Sequence, residues 1–189
     1  MVMHSAFVII LGSPASGKTS LSVALSSDLH IACYRKDEIK EALFDTLGVS
    51  ERDWSSRLSR ASFAVLLRLG SAQACAGLPC MLEGNWRAEH TAALTALAQE
   101  AQVPMAQVCC YAEAPEIERR FRSRRRHAGH LDGRPWDEIA ANMPREPVFL
   151  DLPGARWVYR GEGRGEYAQL RHELGIWLER AHFGAKSGI

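Results

Sequence analysis

Short apolar runs alternate with longer segments of helical periodicity along this chain. The apolar runs predict strands at residues 6–11, 31–34, 80–82, 106–111 and 157–159. Between them, apolar side chains recur at three- and four-residue spacing and predict helices at residues 19–29, 37–47, 53–76, 87–101, 115 onward, 136–142 and 167–181. This alternation is typical of βα units wound around a parallel sheet.

Length and composition favour one globular domain. The chain has 189 residues, 47% of them hydrophobic and 24% charged, and it contains no internal repeat or evident linker. We therefore predict a single α/β domain over residues 1–189. The net charge of +1 indicates no particular partner, and no apolar run is long enough to cross a membrane. Five cysteines without a C-x-x-C pair suit a reducing compartment, so we expect a cytoplasmic protein.

The turn between the first predicted strand and the first predicted helix carries the pattern G-x-x-x-x-G-K-[ST]. Such a glycine-rich loop exposes backbone amides to phosphate, and the helix that follows it favours anions. We expect Lys18 to reach the β- and γ-phosphates of a nucleotide and Thr19 to offer its hydroxyl to Mg²⁺. The predicted nucleotide-binding residues are Gly12, Ser13, Pro14, Ala15, Ser16, Gly17, Lys18, Thr19 and Ser20.

The phosphate loop alone does not select a reaction, because kinases, GTPases and motor ATPases share it. A GTPase would normally carry a guanine-reading N-K-x-D, which this sequence lacks. Residues 151–154 match the letters D-x-x-G, but they lie far from the third strand and are interpreted as a turn before the last strand.

Acidic residues follow the second and third predicted strands, at the sheet edge that also holds the phosphate loop. Asp37 is a candidate general base for a hydroxyl acceptor, and Lys40, one turn later, could hold a polar or anionic part of that acceptor. Asp37 could equally cap the second helix. Glu83 could bind Mg²⁺ through its water shell or remain a solvated strand end. Asn85 could cap the next helix or contact the acceptor.

Six arginines crowd the end of the fifth predicted helix: Arg119, Arg120, Arg122, Arg124, Arg125 and Arg126. Arginines on a closing lid could neutralise charge that develops on a transferred phosphoryl group. Most of the cluster could instead form a solvated helix face. A grip on nucleic acid is a further alternative, although the aromatic residues of a stacking platform are missing.

These segments together resemble a P-loop kinase family that includes polynucleotide 5′-hydroxyl kinases, zeta-toxin-like kinases and chloramphenicol phosphotransferase-like proteins. The resemblance covers most of the chain. Residues 12–19 are similar to its phosphate loop, residues 35–40 to its R-x-D-x-x-[RK] block, residues 82–85 to its acidic-x-Asn strand end and residues 119–124 to the R-x-x-x-R of its lid.

The resemblance implies Asp37 as general base and Arg120 and Arg124 as the phosphate-handling arginines of a lid at about residues 119–145. The sequence departs from the polynucleotide kinases at Glu83, where they usually have aspartate. We expect a three-layer α/β sandwich whose five-stranded parallel sheet has the phosphate-loop strand in the middle.

The expected activity is transfer of the γ-phosphoryl group of ATP, with Mg²⁺, to a hydroxyl. A small metabolite is favoured over an oligonucleotide end as the acceptor. Two alternatives stay open: an ATP-hydrolysing switch, and a nucleotide-binding module without turnover.

Overall fold

A computed structural model of the protein describes residues 4–48, 52–123, 127 and 136–184. The five strands are β1 (Phe7–Gly12), β2 (Ala32–Arg35), β3 (Cys80–Glu83), β4 (Met105–Cys110) and β5 (Arg156–Tyr159). The α-helices of the described residues are α1 (Lys18–Leu29), α2 (Lys36–Leu47), α3 (Arg52–Cys75), α4 (Thr91–Ala101), α5 (Ala114–Ser123), α6 (Trp136–Ala141) and α7 (Arg164–Gly184).

The strands form one parallel sheet in the order β2-β3-β1-β4-β5. This arrangement confirms the predicted five-stranded sheet with the phosphate-loop strand at its centre. In the register of the sheet Glu83 lies between Ile10 of β1 and Arg35 of β2. Because parallel strands deliver their carboxyl ends to the same edge, the segments that follow β1, β2 and β3 meet there.

Each face of the sheet is covered by helices, as expected for a three-layer sandwich. One core joins β1 to α1 and α7 through side chains that include Leu25, Leu174 and Leu178. The opposite core joins the sheet to α3 and α4 through Leu66 and Leu94, among others. Strand side chains alternate between the two cores, and all the residues of β3 and β4 are buried, as the continuous apolar runs indicated.

The connection from β3 to α4 differs from the sequence prediction. A 3₁₀ turn at Ala88–His90 precedes α4, which begins at Thr91. Arg87 is the residue at the start of this turn, and its backbone amide donates to Nδ1 of His90 over 3.0 Å. The prediction that Asn85 caps the helix is therefore wrong, because a turn of chain intervenes and leaves Asn85 at the sheet edge.

A buried amide fixes the segment before β5. Gln107 is fully buried in β4, and its side chain donates to the carbonyls of Leu150 and Leu152 and accepts from the backbone amide of Leu150. Tyr111 also donates its hydroxyl to the carbonyl oxygen of Arg145 over 2.7 Å. Residues 145–152 are thus held against β4 and the residue that follows it. Among the described helices, none is both long enough and apolar enough to cross a membrane.

Candidate active site

The carboxyl edge of the sheet opens into a cavity of about 1700 Å³. It is lined by segments that follow β1, β2, β3 and β4 and by the first half of α3. The predicted site residues that line it are Gly12, Ser13, Pro14, Ala15, Gly17, Lys18, Thr19, Ser20, Asp37, Lys40, Glu83, Asn85 and Arg120. Ser16 lies in a smaller adjoining cavity, and Arg124 falls outside the described residues.

The phosphate loop is held tightly against β4. Gly12 has φ +142°, and a Cβ at this position would lie 2.2 Å from the carbonyl oxygen of Cys110 and 2.8 Å from Oγ of Ser16. Gly17, with φ +98°, forms the N-terminal cap of α1. Ser16 is only 3% exposed, and its Oγ has no hydrogen-bond partner within the described chain. A narrow loop with an unpartnered buried hydroxyl is suited to an anion with several oxygen atoms.

The ammonium group of Lys18 closes over this loop. Lys18 is 9% exposed, and its Nζ donates to the carbonyl oxygen of Ser13 over 2.8 Å. The bond holds the positive charge above the backbone amides that precede α1. A phosphate entering the loop would therefore meet the lysine and the helix N-terminus on the same side.

Thr19 of the first turn of α1 contacts Glu83 at the end of β3. The Thr19 hydroxyl donates to Oε2 of Glu83 over 3.4 Å, and Glu83 is 3% exposed. Burial raises the pKa of Glu83 above its ordinary value, while the nearby positive charge of Lys18 acts in the opposite direction. One hydroxyl and one carboxylate beside a phosphate loop provide the oxygen ligands that Mg²⁺ prefers, so this pair fits the ion.

Asp37 lies in the first turn of α2 rather than at its cap. The N-cap position of α2 is occupied by Arg35, whose backbone is extended and whose side chain makes no capping hydrogen bond. The alternative that Asp37 caps α2 is therefore wrong. The Asp37 carboxylate is about half exposed and accepts from Nζ of Lys36 over 3.1 Å. Arg35 pairs with Glu38 one turn away. Asp37 thus presents a solvent-accessible carboxylate to the cavity.

The wall beyond Asp37 combines Lys40 and Asn85, which the sequence suggested, with two serines that it did not. Lys40 is 7% exposed and donates from Nζ to Oγ of Ser55 over 2.8 Å. Ser59 follows Ser55 by one turn of α3 and lines the same cavity. Asn85 completes the wall with a buried Oδ1 that has no hydrogen-bond partner in the described structure. The signal for this wall was a pair of serines at helical spacing, which is indistinguishable from an ordinary solvated face.

The arginines of α5 are largely paired with glutamates of the same helix. Glu116 accepts from Arg119 and Arg120, and Arg122 pairs with Glu118. Hydrogen bonds from Arg119 and then from Arg120 lower the pKa of Glu116 to about 2. Much of the described part of the cluster is therefore a neutralised helix surface, which does not favour a grip on nucleic acid.

Arg120 differs from its neighbours because it reaches the phosphate loop. Its guanidinium lies 3.6 Å from the position that a Cβ on Gly17 would occupy, and it also approaches Gly161 after β5. It borders a second cavity of about 290 Å³, which Tyr159, Gly161 and Tyr167 also line. Glu166 holds the loop around Gly161, because its carboxylate accepts from the backbone amides of Arg160 and Glu162 over 2.5 and 2.7 Å.

The sheet order, the phosphate loop and the converging acidic residues define the P-loop kinase fold. Solved structures agree with this class. A candidate kinase from Chloroflexus aurantiacus is 27% identical, with a TM-score of 0.81 over 94% of this chain and 98% of that one. The family model described as "AAA domain" matches residues 7–147, and the chain belongs to that family. A search of curated proteins finds no match.

More distant structures share the fold. The APS kinase CysC of Mycobacterium tuberculosis, solved with AMPPNP and APS, is 21% identical, with a TM-score of 0.56 over 94% of this chain and 99% of that one. Kti12 of Chaetomium thermophilum, solved with ADP-AlF3, is 16% identical, with a TM-score of 0.61 over 91% of this chain and 98% of that one. At these identities the likeness concerns the fold alone.

Proposed function

We propose that this protein is a kinase that transfers the γ-phosphoryl group of ATP, in the presence of Mg²⁺, to a hydroxyl of an acceptor molecule. The observation that carries this proposal is the meeting of Lys18, Thr19, Glu83 and Asp37 in one cavity at the sheet edge. A phosphate loop alone would suit many activities. The half-exposed carboxylate of Asp37, which lines the same cavity in the helix after β2, adds what a hydroxyl acceptor requires.

Similar proteins support the same class of activity. The Chloroflexus aurantiacus protein, which is described as a candidate kinase, covers nearly all of this chain. The mycobacterial APS kinase, solved with AMPPNP and APS, and Kti12, solved with ADP-AlF3, have the same fold. ATP and a hydroxyl-bearing acceptor are the ligands that we propose here. All five cysteines lie in the described part of the chain as free thiols, which supports a cytoplasmic location for the reaction.

In the proposed reaction the acceptor oxygen forms a bond to the γ-phosphorus, and the bond from that phosphorus to the β,γ-bridging oxygen breaks, which releases ADP. Asp37 accepts the hydroxyl proton. The loop amides and Lys18 hold the β- and γ-phosphates. Bound Mg²⁺ would neutralise phosphate charge, and Thr19 and Glu83 are the residues that would hold it.

Two arginines complete the proposal. Arg120 lies beside Gly17, and in this position its guanidinium can contact the nucleotide. The cavity of about 290 Å³ that Arg120 borders has room for part of the nucleotide base. That Arg120 and Arg124 neutralise the charge on the transferred group stays a prediction. Nucleic acid is not favoured as the acceptor, because Arg119 and Arg122 are paired within their own helix.

The test is ADP formation from ATP and Mg²⁺ with pooled acceptors, followed by mass spectrometry of the products. The pools are nucleosides, sugars and amino sugars, hydroxy acids, antibiotics and 5′-hydroxyl oligonucleotides. Lys18→Ala and Asp37→Asn are compared with Asp53→Asn, a control at an exposed aspartate of α3 that does not line the cavity. We expect one pool to stimulate turnover, and both site variants to lose about a hundredfold or more in rate.

The two site variants separate the kinase from the hydrolysing switch. In the kinase, Asp37→Asn retains nucleotide binding but loses transfer, while Lys18→Ala loses both. Equal ATP hydrolysis with every pool, together with a silent Asp37→Asn, would replace the kinase by an ATP-driven switch. Nucleotide binding without turnover in any pool would favour a binding module.

A further inference from the structure

The buried charges of the described residues are unequal in sign. Three lysines and one glutamate are buried, namely Lys18, Lys36, Lys40 and Glu83, and all four line the main cavity. Lys18 and Glu83 lie beside the phosphate loop and serve the nucleotide and its metal ion in the proposed function. The other two lysines belong to α2, which follows β2, two strands away from β1. The acceptor side thus has two desolvated positive charges in its wall.

The acids on this side are more exposed than the lysines. The Asp37 carboxylate is 49% exposed and faces Lys36, and Glu38 is 57% exposed and pairs with Arg35. Glu41 lines the cavity and is half-buried. Water screens exposed charges much more than buried ones. The field inside the cavity therefore retains a positive contribution from Lys36 and Lys40.

The hydroxyl of Ser55 can transmit this charge to a ligand. Lys40 donates to the Ser55 oxygen over 2.8 Å, so the serine uses a lone pair for this bond and keeps its own O–H as a donor. Ser59 lies one turn further along α3 and lines the same cavity. An ammonium, a hydroxyl that it polarises and a second hydroxyl make a donor group that suits carboxylate or phosphate oxygens.

We propose that the acceptor is a small hydroxy compound that carries a carboxylate or a phosphate, and that Lys40, Ser55 and Ser59 hold this anionic group. The assignment rests on the proposed kinase function, in which the reactive hydroxyl contacts Asp37. Residues three apart on a helix have Cβ atoms about 5–6 Å from each other. In the acceptor, the hydroxyl that contacts Asp37 and the anionic group that contacts Lys40 are therefore separated by only a few bonds.

The first experiment measures anion binding directly. Protein saturated with AMPPNP and Mg²⁺ is titrated by calorimetry with inorganic phosphate and, separately, with glycolate, which distinguishes the two anionic groups. We expect one further anion site in the wild type. Lys40→Met should weaken it about tenfold or more, Ser55→Ala should weaken it less, and Lys40→Arg should retain most of the binding. Ser71→Ala, on the same helix but outside the cavity, should have no effect.

The second experiment compares matched acceptors that differ in the anionic group: aldonic acids with aldoses, sugar phosphates with sugars, and hydroxy acids with their amides. A 5′-hydroxyl oligonucleotide is included. We expect the anionic member to be preferred, and Lys40→Met to raise its KM about tenfold with a smaller change in kcat. The KM of the neutral member should hardly change. Thermal denaturation checks that each variant is folded.

The results separate this proposal from the kinase assignment. Absence of a further anion site in the AMPPNP complex overturns the anionic acceptor. An Asp37-dependent transfer that prefers neutral acceptors or the oligonucleotide also overturns it, while the kinase assignment stands. Failure of AMPPNP to bind would remove both proposals together.

Discussion

The hydroxyl of Thr19 and the carboxylate of Glu83 lie 3.4 Å apart although 64 residues separate them in the chain. Thr19 is in the first turn of α1 and Glu83 ends β3, so the contact depends on the pairing of β3 with β1. The same pairing buries the carboxylate, and burial raises its pKa. The proposed metal site is therefore also a site of pH-dependent stability.

Glu83→Gln should flatten the pH dependence of unfolding of the nucleotide-free protein. Because folding raises the pKa of Glu83, the contribution of this residue to stability is fully present below its ordinary pKa of 4.5. This contribution is lost as pH rises through the higher pKa of Glu83 in the folded protein. Glutamine does not ionise, so Glu83→Gln should lose less stability than the wild type as pH rises above 4.5.

Urea unfolding at several pH values measures this difference. Parallel profiles of wild type and Glu83→Gln would contradict the desolvation of Glu83.

The same variant should bind the nucleotide more weakly in Mg²⁺ than the wild type does, and the two proteins should differ less when EDTA is present.

Gly12→Ala should disrupt the phosphate loop. The added methyl group would lie 2.2 Å from the carbonyl oxygen of Cys110, and the φ of +142° is strained for any residue with a side chain. We expect a loss of at least about 2 kcal/mol in the free energy of unfolding, and no measurable ATP binding. Gly165→Ala is the control, because this helical glycine has open space around it and should be neutral or slightly stabilising.

Gln107→Leu should destabilise the protein by about 3 kcal/mol, because it leaves the buried backbone groups of Leu150 and Leu152 without their partner. Hydrogen exchange at the amide of Leu150 should accelerate more than exchange in α1. Gln99→Leu, at an exposed position of α4, should change neither quantity. Unchanged exchange at Leu150 would show that Gln107 does not fix this segment.

Arg120→Met should weaken nucleotide binding about tenfold without changing the KM of the acceptor. Arg119→Met is a matched control, because Arg119 shares the same glutamate but is 69% exposed and lines neither cavity. Fluorescence titration with a labelled ATP analogue measures both variants. Equal losses would assign the effect to the pairing with Glu116 rather than to the nucleotide.

The phosphate loop could be predicted from the sequence because its information is local: strand, glycines, lysine and helix are consecutive. The central position of β1 came from a family resemblance and is confirmed by the sheet order. The sheet-edge location of Asp37 and Glu83 followed from the rule that parallel strands share a carboxyl edge.

Other parts of the site depend on contacts that no local pattern records. Ser55 and Ser59 lie on a helix whose periodicity predicts only which face is buried, so their place beside Lys40 follows from the packing of α3 against α2. Gln107 is a polar residue in an apolar strand, and its partners are 43 to 45 residues away. The error at Asn85 arose because a 3₁₀ turn can delay a helix without a clear sequence signal.

The close approach of Gly12 to Cys110 has a consequence for synthesis of the protein on the ribosome. Residues 12–19 are translated before β3 and β4, but their shape depends on β1, whose partners begin at Cys80 and Met105. We therefore expect the phosphate loop to bind nucleotide only after about a hundred further residues have been translated. Binding of ATP to a nascent chain would accordingly report that the middle three strands of the sheet have assembled.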